Sequence, residues 1–79
     1  MPTVMRIGGF AFGIYTRDHG PAHVHVHYAG RQCKIELETL RLTASSMNAK
    51  EESQAVRLVS AHGEVLLALW IAIHPEEVR

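Results

Sequence analysis

Three histidines alternate with apolar residues in the run His23-Val24-His25-Val26-His27-Tyr28. On a β-strand, successive side chains point to opposite faces. His23, His25 and His27 then share one face, and Val24, Val26 and Tyr28 the other. Imidazole is the side chain whose charge changes nearest neutral pH, and it is a common metal ligand. Three on one face suit acid–base chemistry, a metal site or a pH-sensitive surface, and the run alone leaves these open.

Two tight turns set the elements that position this run. Gly8-Gly9 suits a two-residue primed turn, because glycine accepts positive φ at little steric cost. With that turn, Ile7 faces Phe10, Met5 faces Phe12 and Thr3 faces Ile14. Met5, Ile7, Phe10, Phe12 and Ile14 gather on one face, and Val4, Arg6, Ala11, Gly13 and Tyr15 on the other. Val4 is the one large aliphatic on the wrong side. Ala29-Gly30 is the second turn. It opposes Val26 to Cys33, Val24 to Ile35 and Ala22 to Leu37 on the apolar side. On the polar side it opposes His27 to Gln32, His25 to Lys34 and His23 to Glu36. Each hairpin thus has one apolar and one mainly polar face, as in an antiparallel sheet covered on one side. Residues 16–22 read as a loop, with Asp18 as a turn former.

The pattern changes near Ser45 from strand-like to helical. Asn48 followed by Glu51 resembles a capping box. Ala55, Val59, His62, Leu66, Leu69 and Ile73 then recur at steps of four and three, which is helical periodicity. The phase is kept through Gly63, which favours one helix over 48–74. A kink or break at Gly63, where glycine costs about 1 kcal/mol against alanine, is the alternative. Pro75 ends the helix at about His74. The expected fold is a single α+β domain over 1–79. An antiparallel four-stranded β-meander (1–44) is covered on one face by a long C-terminal helix.

On that fold the polar sheet face gathers Arg6, Tyr15, His23, His25, His27, Lys34 and Glu36. Glu36 opposite His23 is placed to orient an imidazole, and Arg6 and Lys34 to hold phosphate charge. Tyr15 can donate a proton or stack on a base. The metal alternative uses His23, His25 and Glu36 around zinc or nickel, with His19 as a further donor. The plainest alternative is a solvated polar face whose histidines merely fill strand positions. His62 reads as a satisfied core histidine, and His74 as a residue favoured by the helix C-terminal dipole. Cys33 falls on the apolar face and reads as a small core thiol.

Composition narrows the classes. Eight Lys and Arg balance eight Asp and Glu, so nucleic acid must be met by a local patch and not by bulk charge. The single cysteine excludes an internal disulfide. The first residues, MPTVMRIGG, lack a signal-peptide apolar core. The apolar run 65–73 is far short of the roughly 20 residues of a membrane span. A cytoplasmic chain is expected. That run is apolar nearly all round, which points to partner contact, homotypic or heterotypic, through Leu67, Trp70 and Ile71.

Met1-Pro2-Thr3, Arg6, Gly9, Tyr15 ahead of Arg17-Asp18-His19, and Pro21 leading into His23-Val24-His25-Val26 resemble a family of small bacterial proteins, domain of unknown function 4160. Ile35-Glu36 before Glu38-Thr39 fits as well. So do Ala55-Val56-Arg57-Leu58-Val59, His62 and Leu66-Leu67 before Trp70. The resemblance implies one partner of a two-gene toxin–antitoxin module, and hence a small antitoxin protein as partner. Two features depart from the family. Gly20-Pro21-Ala22 stands where consecutive prolines are usual. Ala68-Leu69 and Ile71-Ala72-Ile73 flank Trp70 where polar residues are usual. His27 lies outside the family motif. The leading expectation is a toxin-like protein acting on RNA without a metal. His23 or His25 serves as base or acid, Glu36 orients it, Arg6 and Lys34 stabilise phosphate charge, and Tyr15 assists. The alternatives are the metal-binding protein and a non-catalytic protein-binding module.

Overall fold

A computed structural model describes residues 3–77. Five antiparallel strands form one meander: β1 (Thr3–Ile7), β2 (Phe10–Gly13), β3 (His23–Tyr28), β4 (Arg31–Glu36) and β5 (Leu42–Thr43). Two helices follow, α1 (Ala49–Ala61) and α2 (Gly63–Ile73), and then a 3-10 turn at Pro75–Glu77. The α+β class and the antiparallel sheet agree with the sequence reading. The fifth strand and the second helix correct it.

The two hairpins form at the expected turns. Gly8 and Gly9 both have positive φ (53° and 85°), as do Ala29 and Gly30 (50° and 80°). Both loops thus have the primed-turn signature that matches strand twist. A Cβ on Gly9 would meet the Tyr28 ring at 3.1 Å, a tight contact added to the strain of its positive φ. In the second hairpin, all the expected pairs from His23–Glu36 to His27–Gln32 are present. The first departs at one point: Thr3 faces Gly13 and not Ile14, because the register shifts between Thr3 and Met5. That irregularity contains Val4. It resolves the misplaced aliphatic, since Val4 packs against the core.

β5 escapes the sequence reading because two residues cannot show an alternation. It pairs Lys34 with Thr43 and Ile35 with Leu42. The turn before it is closed by the Glu36 amide donating to the Arg41 carbonyl at 2.9 Å.

The helical segment begins as expected. The Glu51 amide donates to Asn48 Oδ1 (2.8 Å) and the Asn48 amide to Glu51 Oε1 (3.0 Å). It does not continue to 74 as one helix. α1 and α2 meet at 76°, and His62 between them leaves helical geometry at φ −115°, ψ 22°. His62 closes α1, its amide and ring Nδ1 both donating to the Leu58 carbonyl (3.1 and 2.9 Å). Its own carbonyl accepts from the Leu66 amide at 3.0 Å and so starts α2. A one-residue joint leaves the residue count intact, so apolar periodicity runs through it unchanged.

The bend decides what α2 buries. Leu66, Trp70 and His74 recur at steps of four and all point inward. Phe10, Phe12, Ile14, Val24, Val26, Cys33 and Ile35 supply the sheet side of the core, and Ala55 and Val59 the α1 side. Trp70 was expected on a partner surface; it is instead buried in this core. Val65, Leu67 and Ile71 remain exposed on α2. Among the described residues, no single helix is long and apolar enough to cross a membrane.

Candidate functional site

β3 delivers His23 and His25 to one face, as its period of two requires. Their rings meet edge to face, with centroids 5.1 Å apart. The loop before β3 brings Asp18 to the same point. Its amide donates to the Tyr15 carbonyl at 3.2 Å, so the residue does form a turn. That turn aims the carboxylate at β3. Asp18 Oδ2 lies 3.1 Å from His23 Nε2 and 2.8 Å from His25 Nε2. The three ligand-type atoms lie within 4.8 Å of one another.

Each ring has a defined wall. His23 is only 7% exposed and lies against Trp70 of α2, centroids 5.1 Å apart. The sheet face read as open is therefore covered at the start of β3. His25 meets the Tyr15 ring edge-on at 4.6 Å. His23 Nδ1 faces the Pro21 carbonyl at 2.9 Å. A carbonyl only accepts, so Nδ1 carries the proton there and Nε2 is the nitrogen turned to Asp18. Burial pushes the Asp18 carboxyl up, but hydrogen bonds and charge from His25 and His23 outweigh it and hold the group below the ordinary aspartate value.

Glu36, the expected carboxylate, takes another partner. It faces His23 across the sheet, yet its Oε1 accepts from the Thr39 hydroxyl at 2.7 Å. The turn before β5 thus draws Glu36 off the histidines, and Asp18 replaces it. Lys34 stands directly opposite His25, half-buried, and makes no ion pair among the described residues. Tyr15 is present as a wall. Arg6 is exposed on β1 and shares a cross-strand row with Ala11 and His27, two strands from β3. The structure does not bring it to the cluster. His27 is apart too, with its Nε2 buried and unbonded among the described residues. His19 is exposed and outside the three-atom group.

Sequence reasoning missed Asp18 as a site residue because turn chemistry explained it fully. The available signal was its place in the Asp-His…Pro…His-Val-His-Val segment. It missed His74 as well. His74 is buried, its Nδ1 3.0 Å from the Trp70 carbonyl and its Nε2 2.7 Å from the Tyr15 carbonyl. It therefore ties the end of α2 to the residue that walls His25.

The family model for a domain of unknown function, DUF4160, matches residues 9–71. The chain belongs to the DUF4160 family. The matched span contains Asp18, His23, His25, Lys34 and Trp70 and stops before His74. No curated protein and no solved structure matches the chain. Two of the surface clefts share no lining residue with the cluster. One is lined by Ile7, Gly8, Phe10, Gln54, Arg57 and Leu58, the other by residues around His62 and Gly63.

Proposed function

We propose that this DUF4160 protein is a toxin-like protein acting on RNA, with Asp18, His23 and His25 as its reacting centre. One observation carries the reading. Two imidazole nitrogens converge on one carboxylate oxygen, and Lys34 is the residue paired with His25 on the neighbouring strand, without an ion pair among the described residues. RNA holds a 2′-hydroxyl beside each phosphodiester. Cleavage then asks little of the protein. The 2′-hydroxyl must lose its proton as it attacks phosphorus, the departing 5′-oxygen must gain one, and the charge that builds on phosphate must be met. The centre handles the two protons and Lys34 the charge. The toxin-like setting rests on the family resemblance.

The test is incubation of purified chain with end-labelled RNA, alongside induced expression in growing cells. The expected result is cleaved RNA and arrested growth, with His25→Ala lowering the cleavage rate by about 10²-fold or more. Intact RNA together with undiminished toxicity of His25→Ala overturns the reading.

A further inference from the structure

We propose that Asp18 Oδ2, His23 Nε2 and His25 Nε2 bind one divalent first-row transition ion, zinc foremost, with its remaining coordination positions open. Ion binding does not depend on the RNA reading, although it would supply the activation that reading needs.

The first argument is a demand for positive charge. Pro21 fixes one His23 proton on Nδ1. His23 Nε2 faces the Asp18 carboxylate oxygen at 3.1 Å, and His25 Nε2 faces the same oxygen at 2.8 Å. That oxygen calls for positive charge: a second ring proton supplies it in an imidazolium, and a cation held by all three atoms supplies it to neutral rings.

The second argument is spacing. Ligands about 2.0–2.2 Å from an ion are themselves about 2.8–3.6 Å apart at octahedral to tetrahedral angles. The observed 2.8 and 3.1 Å contacts fall within that range. All three donor atoms lie within 4.8 Å of one another, so side-chain rotation is enough to close the cluster on one ion.

The third argument is the outer shell. Metal-bound histidines characteristically donate their second ring N–H to a carbonyl or carboxylate, which fixes the tautomer and orients the ring. His23 does this through Pro21. Trp70 and Tyr15 hold the two rings from the sides.

Donor chemistry selects the ion class. Two imidazoles and one carboxylate suit zinc, iron, cobalt or nickel in the divalent state. They suit magnesium and calcium poorly, because those ions prefer oxygen alone. Zinc combines high affinity with tolerance of geometry. Three protein ligands leave at least one position free. The Asp18 and His25 side chains are 26% and 28% exposed, so that position is reachable from solvent.

The test uses the full chain without an affinity tag, stripped with chelator and refilled. Zinc is followed by calorimetry, and cobalt by visible absorption and by quenching of Trp70, the only tryptophan. One equivalent of each ion is expected to bind. Asp18→Asn and His25→Ala are each expected to weaken binding at least tenfold, with Glu36→Gln unchanged. No binding by the folded parent, or wild-type affinity in both ligand variants, overturns the proposal. Loss of binding in folded Glu36→Gln overturns the ligand set. Where a ligand variant fails to fold, the parent's cobalt titration decides. Trp70 quenching complete at one equivalent supports the site, and absent quenching overturns it. The two proposals fail separately. A zinc-loaded chain that leaves RNA intact overturns only the functional reading. A chain that cuts RNA and binds neither zinc nor cobalt overturns only this one.

Discussion

His74→Ala tests whether the C-terminal end of α2 is latched to the site. The ring is 5% exposed, and both nitrogens face carbonyl oxygens, at 3.0 Å on Trp70 and 2.7 Å on Tyr15. Carbonyls only accept, so using both bonds requires both ring N–H groups. The Tyr15 bond joins residues 59 positions apart, whereas the Trp70 bond is local. The ring also packs on the Trp70 indole at 3.9 Å. Each lost hydrogen bond costs about 0.5–1.5 kcal/mol. The vacated packing adds about 1–2 kcal/mol by the rules for buried truncations. The expected loss is about 2–5 kcal/mol. For a 79-residue domain total stability is roughly 4–12 kcal/mol, so this is a large fraction. His62→Ala is the internal control. His62 makes the same local bond, Nδ1 to Leu58 at 2.9 Å, but is half-buried and has no bond across the fold among those resolved. Its loss should stay at about 0.5–1.5 kcal/mol. The assay is chemical denaturation followed by circular dichroism on parent and both variants. Equal midpoints for His62→Ala and His74→Ala would refute the latch, and so would a His74→Ala loss under about 0.5 kcal/mol.

Other expectations concern groups outside the site. Burial pushes the Cys33 thiol up to about 11 from 9.0, with the Glu52 charge adding to it. At pH 8 the thiolate is then about a hundredfold scarcer than in the unfolded chain. Native protein should resist a thiol reagent that labels the urea-unfolded chain within seconds, and stoichiometric labelling of native protein would contradict the buried placement. Asn48→Ala removes the cap bond to the Glu51 amide and should lower stability by about 1 kcal/mol in denaturant titration. Glu51 pairs with Arg31, whose Nε donates to Oε1 at 2.9 Å. The Arg31 hydrogen bond, helped by the Asn48 amide, holds the Glu51 carboxyl below its ordinary value. A depressed carboxylate contributes stability above its unfolded pKa and loses it as pH falls through the folded one. Glu51→Gln should therefore be less stable than the parent at neutral pH, with the difference closing in acid, as thermal melts across pH would show.

The parts of the fold legible in the sequence were those with a short-range cause. Gly8-Gly9 and Ala29-Gly30 fixed two hairpins because primed turns dictate register, and the His23–Glu36 pairing follows from counting outward. The capping box at Asn48 is equally local. The misses share another cause. β5 is too short to display a period. The break at His62 leaves apolar phase untouched, so the pattern that argued for one helix is compatible with two. Trp70 was assigned outward for the same reason. On a straight helix it lies off the main stripe, and after a 76° bend it follows Leu66 into the core.

The exchange of Glu36 for Asp18 carries the same lesson into the chemistry. Cross-strand pairing put Glu36 opposite His23, and the pairing is real. Backbone opposition does not fix where a flexible carboxylate points, and the Thr39 hydroxyl claims it. Asp18 is short and its backbone is held by the Tyr15 carbonyl, so its carboxylate has few places to go. The constraint that marked it as a turn former also makes it a rigid partner for two imidazoles. Tyr15 then sits at a junction. Its carbonyl receives both the Asp18 amide and the His74 ring, while its own ring walls His25. Pulling α2 away would therefore disturb Asp18 and His25 together. His74→Ala should accordingly weaken cobalt binding even though His74 is not a proposed ligand, and Val65→Ser, exposed on the same helix, should leave it unchanged. If both variants bind cobalt as the parent does, the latch stabilises the fold without organising the site.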